Sequence, residues 1–278
     1  MLKRTISGIV LFILVTASVL ISPLTFGLVL LIFSLIAVNE LSKALGVHSE
    51  GIKANPLEIT MYISTICLYV VAFLNNVDTI DAYTMIVLIA TFLILMAIYV
   101  LTFPKYQATE IAKSIFIVVY GPLLLSFGYR IEAFAVHPFV TVGLIFIVSS
   151  VCDIAAYFVG SAIGKHKLAP ELSPKKTIEG AIGGVVVVTI CCIVYGIIMH
   201  RLGILMGSHI IRFSIIGIAG SIISQLGDLA ASAIKRNYGI KDYGKIIPGH
   251  GGIMDRVDSW IVVMPIIYMI TVYFNTLT

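Results

Sequence analysis

Ile178-Glu-Gly-Ala-Ile-Gly-Gly-Val-Val-Val-Val-Thr-Ile-Cys-Cys-Ile-Val-Tyr-Gly-Ile-Ile-Met199 carries one charged side chain, Glu179, at its start. A run this long and this apolar matches the ~20 residues that take an α-helix across a bilayer. Its Val and Ile would also suit a strand. Unpaired backbone is not tolerated in lipid, however, so the spans of such a chain are expected to be helices. Working outward in both directions, the hydropathy pattern predicts nine spans. They cover Ile6–Ile21, Leu24–Leu41, Leu57–Leu74, Ala82–Leu101, Ile111–Tyr129, Pro138–Tyr157, Ile178–Met199, Ile210–Lys235 and Val257–Phe274. The first two are short, and Ser22-Pro23 between them suggests a tight hairpin. Lys3 and Arg4 precede an apolar core as in a signal peptide, but no small-residue cleavage site follows, so this segment reads as a retained span.

Composition agrees. Only 12% of the 278 residues are charged and 59% are hydrophobic, with a mean hydropathy of +1.08. Soluble domains carry roughly 25% charged residues. The fold class is therefore all-α, a polytopic integral membrane protein. No loop is long enough to bury a core of its own. Two regions are expected: residues 1–134, with spans one to five and little chemistry in their loops, and residues 135–278, with spans six to nine and nearly every informative residue. Glu40, at a span end, reads as a solvated interfacial carboxylate. Cys67, Cys152, Cys191 and Cys192 form no CxxC pair and read as small buried hydrophobes.

The basic residues set the orientation. With a cytoplasmic N-terminus, 15 of the 18 Lys and Arg fall on the cytoplasmic side, and only Arg130, Arg201 and Arg212 lie outside. The acidic loop with Asp78 and Asp81 also falls outside. The expected location is the inner, cytoplasmic membrane, with the active site on the cytoplasmic face and the C-terminus outside.

The densest charge lies between Ser232 and Asp258, flanked by apolar runs. It gathers Lys235, Arg236, Lys241, Asp242, Lys245, Asp255, Arg256 and Asp258, with five glycines, Pro248 and His250. Charge beside a bilayer is costly unless it is used. Cations suit a phosphate-bearing ligand, and spaced carboxylates suit a divalent metal. Asp255 and Asp258 are three apart at a helix start, so their carboxylates can point the same way. Asp228, in the preceding span, shares a face with Gln225 and Ser232. His250 lacks the partners of a zinc ligand and fits a phosphate contact or acid–base group.

A second constellation begins at Asp153, inside an apolar run, and continues through Tyr157, Gly160, Gly164, Lys165, Lys167 and Ser173-Pro-Lys-Lys-Thr177. Glycines let backbone approach a phosphate, and lysines supply charge. The nucleotide P-loop spacing is absent. Gly180 and Gly184, four apart, read as marks of close helix packing.

Ser232-x-Ile234-Lys-Arg236, Lys241-Asp242-x-Gly244 and Ile247-Pro248-x-His250-Gly-Gly-Ile-x-Asp255-Arg-Val-Asp258 together resemble the signature of the phosphatidate cytidylyltransferase, or CDP-diacylglycerol synthase, family. Gly164 to Gly180 and Asp153-x-x-Ala156-Tyr157 are similar to it as well. Ile154-Ala155 departs from the pattern, where a smaller or polar pair is expected. The resemblance is strong over the second half of the chain. It implies a membrane enzyme that joins CTP to phosphatidic acid, releasing pyrophosphate, with Mg²⁺ as cofactor, membrane lipids as surroundings, a homodimeric assembly and no nucleic acid as partner. It implies Asp228, Asp255 and Asp258 at the metal, Lys235 and Arg236 on phosphate, and His250 shaping the pocket. Lys165, Ser173, Lys175 and Lys176 then meet the triphosphate, while Asp153 and Tyr157 place the nucleotide. A relative acting on an ether-lipid phosphate is the near alternative. An ion-coupled transporter using Asp153 and Asp228 is the distant one, although no inverted repeat is evident.

Overall fold

A computed structural model describes the backbone of residues 2–48, 54–205, 210–247, 249 and 251–276, and within these the side chains from 8 to 271. His250 and Pro248 lie outside the described residues, as does Lys53. Among the described residues the chain forms nine helical rods in the expected order. They are α1 (Leu2–Ile21), α2 (Pro23–Ala44), α3 (Pro56–Leu74), α4 (Ile80–Leu101), α5 (Ala108–Phe134), α6 (Pro138–Ile163), α7 (Ile178–Arg201), α8 (Ile210–Asn237) and α9 (Met254–Thr276). Seven of them, α2 to α8, are long and apolar enough to cross a membrane, and α1 adds a shorter apolar stretch, Gly8–Ile21. The most apolar, α4, is also the least buried, which is stable only where lipid replaces water.

Local chemistry sets the boundaries. Ser22 alone separates α1 from α2. It is extended, caps Thr25 N at 3.2 Å, and is followed by Pro23 at the first helical position. Asn55 and Glu58 form the reciprocal capping box that starts α3, again with proline next. Pro122, which has no N–H to give, coincides with a π-helical turn at Val119–Leu123 inside α5. A second such turn, Ile147–Val151, interrupts α6.

The chain packs as two compact units, Met1–Arg130 with Tyr238–Arg256, and Ile131–Asn237 with Val257–Thr278. In the first unit, hydroxyl pairs tie neighbouring helices: Ser34 Oγ with Tyr69 Oη at 2.8 Å, and Ser64 Oγ with Thr91 Oγ1 at 2.7 Å. Arg130 is buried; it donates to Asp81 Oδ1 and Thr84 Oγ1, both at 2.6 Å. Glu40 is not the solvated carboxylate that its position suggested. It is 3% exposed, because Gly244 and residues 252–254 pack against it. In the second unit, α6 packs on α7, and α7 on α8. Of the cysteines, Cys152 and Cys192 are buried as expected, Cys191 is half-buried, and Cys67 is exposed on α3.

Replacing Arg130 with alanine removes two charge-assisted bonds and leaves a void. The expected loss is about 2 kcal/mol, the exposure of Asp81 keeping it below the cost of breaking a fully buried pair. Denaturant unfolding in detergent micelles is the measurement.

Candidate active site

The site of the second unit starts from missing side chains. A Cβ on Gly180 would lie 2.5 Å from Ala156 O and 3.0 Å from Gly160 Cα. One on Gly184 would meet Cys152 O at 3.3 Å. Small residues therefore let the backbones of α6 and α7 touch, which bears out the packing reading of Gly180 and Gly184. This contact brings Asp153 and Tyr157 on α6 beside the residues that precede α7.

Those residues form a β-hairpin, which the sequence reading treated as loop. Strands β1 (Lys167–Ala169) and β2 (Ser173–Thr177) pair antiparallel, Lys167 opposite Thr177 and Ala169 opposite Ser173. Three contacts fasten the hairpin to α7. Ile178 N donates to His166 O at 2.9 Å. Thr177 Oγ1 caps α7 by accepting from Gly180 N at 3.2 Å. Glu179 accepts from Lys165 N at 3.0 Å and from His166 N at 3.2 Å, and its carboxylate lies 2.6 Å from His166 Nδ1. Glu179, read in the sequence only as the opening of a span, is thus the anchor that fixes the basic hairpin.

A cavity of about 320 Å³ opens between α6, the hairpin, α7 and α8. Asp153, Tyr157, Lys175, Lys176, Gln225 and Asp228 line it. Lys176 forms an ion pair with Asp228. The carboxylates of Asp153, Asp228 and Asp258 are close enough to repel one another. Lys176 opposes the first two and Lys235 opposes Asp258. Gly227 allows α9 to approach α8 here: a Cβ would stand 3.0 Å from Asp258 O. Gln225 Nε2 donates to Ala181 O at 3.2 Å and ties α8 to α7 at the cavity wall. The result is a pocket lined by two acids and two lysines, with Asp258 and Lys235 in electrostatic reach, suited to hold a polyanion together with a hard cation.

Of the expected site residues, the structure brings Asp153, Tyr157, Lys175, Lys176 and Asp228 around one cavity, with Asp258 and Lys235 in electrostatic reach. Ser173 lies in the hairpin and Lys165 just before it, and neither lines the cavity. Arg236 is exposed in the last turn of α8. Asp255 belongs to the first unit. Its Oδ2 accepts from Tyr243 N at 2.8 Å and Gly252 N at 3.0 Å, so it closes the segment 243–255 into a loop. Among the described residues, no three His, Cys, Asp or Glu side chains form a ready-made metal cage.

The loop of the first unit has a second support that sequence reading missed. Glu40 on α2 accepts from Ile253 N at 3.1 Å and Met254 N at 2.9 Å. Lys113 on α5 donates to Leu45 O at 2.8 Å and lies 5.2 Å from the Tyr238 ring centre. The one available signal was an ionisable side chain near the end of an apolar span.

Sequence comparison bears on both units. The profile described as the cytidylyltransferase family matches residues 2–274. The chain is 31% identical to the phosphatidate cytidylyltransferase of Staphylococcus haemolyticus over 270 residues, 97% of this chain and 98% of that one. It is 43% identical to the phosphatidate cytidylyltransferase of Bacillus subtilis over 123 residues, 44% of each chain. The corresponding protein of Staphylococcus saprophyticus is 34% identical over 185 residues, 66% of this chain and 68% of that one. A match that runs through all nine helices, the charged cavity and the looped segment makes this chain a member of the cytidylyltransferase family.

Proposed function

We propose that this chain is a phosphatidate cytidylyltransferase, which converts CTP and phosphatidate to CDP-diacylglycerol and pyrophosphate. One observation carries the reading beyond the family likeness. The charged cavity shares Leu168, Ala181 and Gln225 with an open apolar groove of about 390 Å³ along α7 and α8. A charged cavity beside an apolar groove suits one soluble polyanion and one lipid.

The chemistry follows from the charges. A phosphate oxygen of phosphatidate attacks the α-phosphorus of CTP. The new P–O bond forms as the bond to the β-phosphate breaks, and pyrophosphate leaves with that electron pair. Both reactants are anions, so charge repulsion and positioning are the chief obstacles. Phosphate monoesters are largely deprotonated at neutral pH, with a second pKa near ~6, so no strong base is required. Lys175 and Lys176, in the cavity wall, neutralise the triphosphate, and Lys165 adds charge at its rim. Lys235 and Arg236 meet phosphate at the end of α8. Asp153 and Tyr157 orient the nucleotide.

The donor set fits Mg²⁺. Asp228 and Asp258 offer hard carboxylate oxygens, and this ion is commonly held by one or two carboxylates, with waters and substrate phosphates completing its shell. Asp255, one turn before Asp258 on α9, is the third carboxylate of the expected set. When bound, the ion supplies positive charge to the phosphate oxygens.

Sidedness rests on charge. In the first unit, Lys113 meets Leu45 and Tyr238, whereas Arg130 meets Asp81. Each group joins residues assigned to one face by the distribution of basic side chains. This supports a cytoplasmic site in an inner membrane, with the C-terminus outside. A homodimer is proposed on the family resemblance alone.

Radiolabelled CTP incubated with phosphatidate and Mg²⁺ tests the reaction: label should enter the lipid phase. Asp228→Asn should lower the rate at least about 100-fold while the protein still inserts and folds, and a normal rate would refute the metal assignment. Chelation with EDTA should abolish turnover and added Mg²⁺ restore it. Leu226→Trp, which obstructs the apolar groove, should raise KM for long-chain phosphatidate about tenfold, one lost hydrophobic contact being worth roughly 1–3 kcal/mol, and leave KM for CTP unchanged.

A further inference from the structure

We infer that Glu40, near the end of the largely apolar α2, is a positioning residue for the transfer reaction, holding Gly244 and residues 251–254 in shape for Asp255. The inference rests on the reaction proposed above. The first amides of a helix have no partner within it and carry the positive end of its dipole. At the start of α9, Met254 N goes to Glu40, as does Ile253 N just before the helix, while Gly252 N goes to Asp255. Tyr243 N joins the same Asp255 oxygen from the far side of the loop. Ile247 N closes the loop on Gly251 O at 2.9 Å.

Two glycines fit the carboxylate of Glu40 closely. A Cβ on either Gly244 or Gly252 would overlap it, and Gly244 would also come within 3.1 Å of Gly252 Cα. At Gly251, with φ +86°, a Cβ would lie 2.7 Å from Asp255 Oδ2. The glycines of this segment are thus spaces left for two carboxylates. Burying Glu40 costs free energy that these two amide bonds offset only in this loop conformation. Removing the carboxylate frees Ile253 N and Met254 N, and the turn that orients Asp255 loses its support.

The prediction separates positioning from folding. In Glu40→Ala, kcat per folded molecule should fall about 100-fold, the scale of a misplaced catalytic group, with KM for CTP within twofold, because the lysines of the hairpin are untouched. Glu40→Gln, which keeps one acceptor oxygen, should recover part of the loss. Gly252→Ala leaves Glu40 in place but displaces its carboxylate, and should lower kcat in the same way. It carries the test if Glu40→Ala fails to fold. Hydrogen exchange at residues 251–255 should quicken in each variant. A wild type that moves no label from CTP into phosphatidate would sink the reaction reading and this inference with it. An active wild type whose Glu40→Ala and Gly252→Ala variants match its kcat would sink the inference alone, as would losses explained wholly by less folded protein.

Discussion

Lys176 and Asp228 form an ion pair in the wall of the charged cavity, with Asp153 and Asp258 close enough to add their charge. Two unit charges 4 Å apart attract by about 1 kcal/mol in water and by about 4 kcal/mol at the effective dielectric of a protein surface. The same factor magnifies repulsion among the three acids. Such a group stands only because helices from different parts of the chain hold it. That in turn requires α6 and α7 to meet backbone to backbone, and α9 to approach α8. Gly160, Gly180, Gly184 and Gly227 make those approaches feasible. The smallest residues thus fix where the strongest charges lie, and a polyanionic substrate meets an arrangement already in place.

The first unit solves a different problem. The segment from Tyr238 to Arg256 is charged and glycine-rich; Tyr243, Ile253 and Met254 are buried, but its polar groups need partners from elsewhere. Helices of the N-terminal part supply what it lacks: a carboxylate from α2 and an ammonium from α5. The apolar helices that carried no evident chemistry are therefore the frame of the charged loop. Burial of Glu40 makes this frame specific, since a carboxylate without its amide partners would destabilise the core it occupies.

How legible the molecule was depends on the range of the interaction involved. Hydropathy over some twenty residues fixes the helices, because a bilayer penalises every unpaired backbone group. All nine rods follow the expected order, and Asn55, Ser22 and Pro23 mark starts that capping chemistry dictates. The residues of the charged cavity were legible as types, since acids and lysines are rare in such a chain and conspicuous when present. The hairpin of Lys167–Thr177 was not legible, because strands of three and five residues leave no periodic trace. Nor was the burial of Glu40, whose partners lie more than two hundred residues away.

Sequence by itself therefore determined the class of fold, the order of the helices and the kinds of side chain available for phosphate chemistry. Each follows from local composition acting on a strongly apolar solvent. Tertiary structure decided which of those side chains face a common space. It gathered Asp153, Lys176 and Asp228 around one cavity, turned Asp255 onto the amides of its own loop, and set Glu40 beneath them. Those outcomes depend on helix contacts and hydrogen bonds between distant segments, whose energies have no expression in any local stretch of chain.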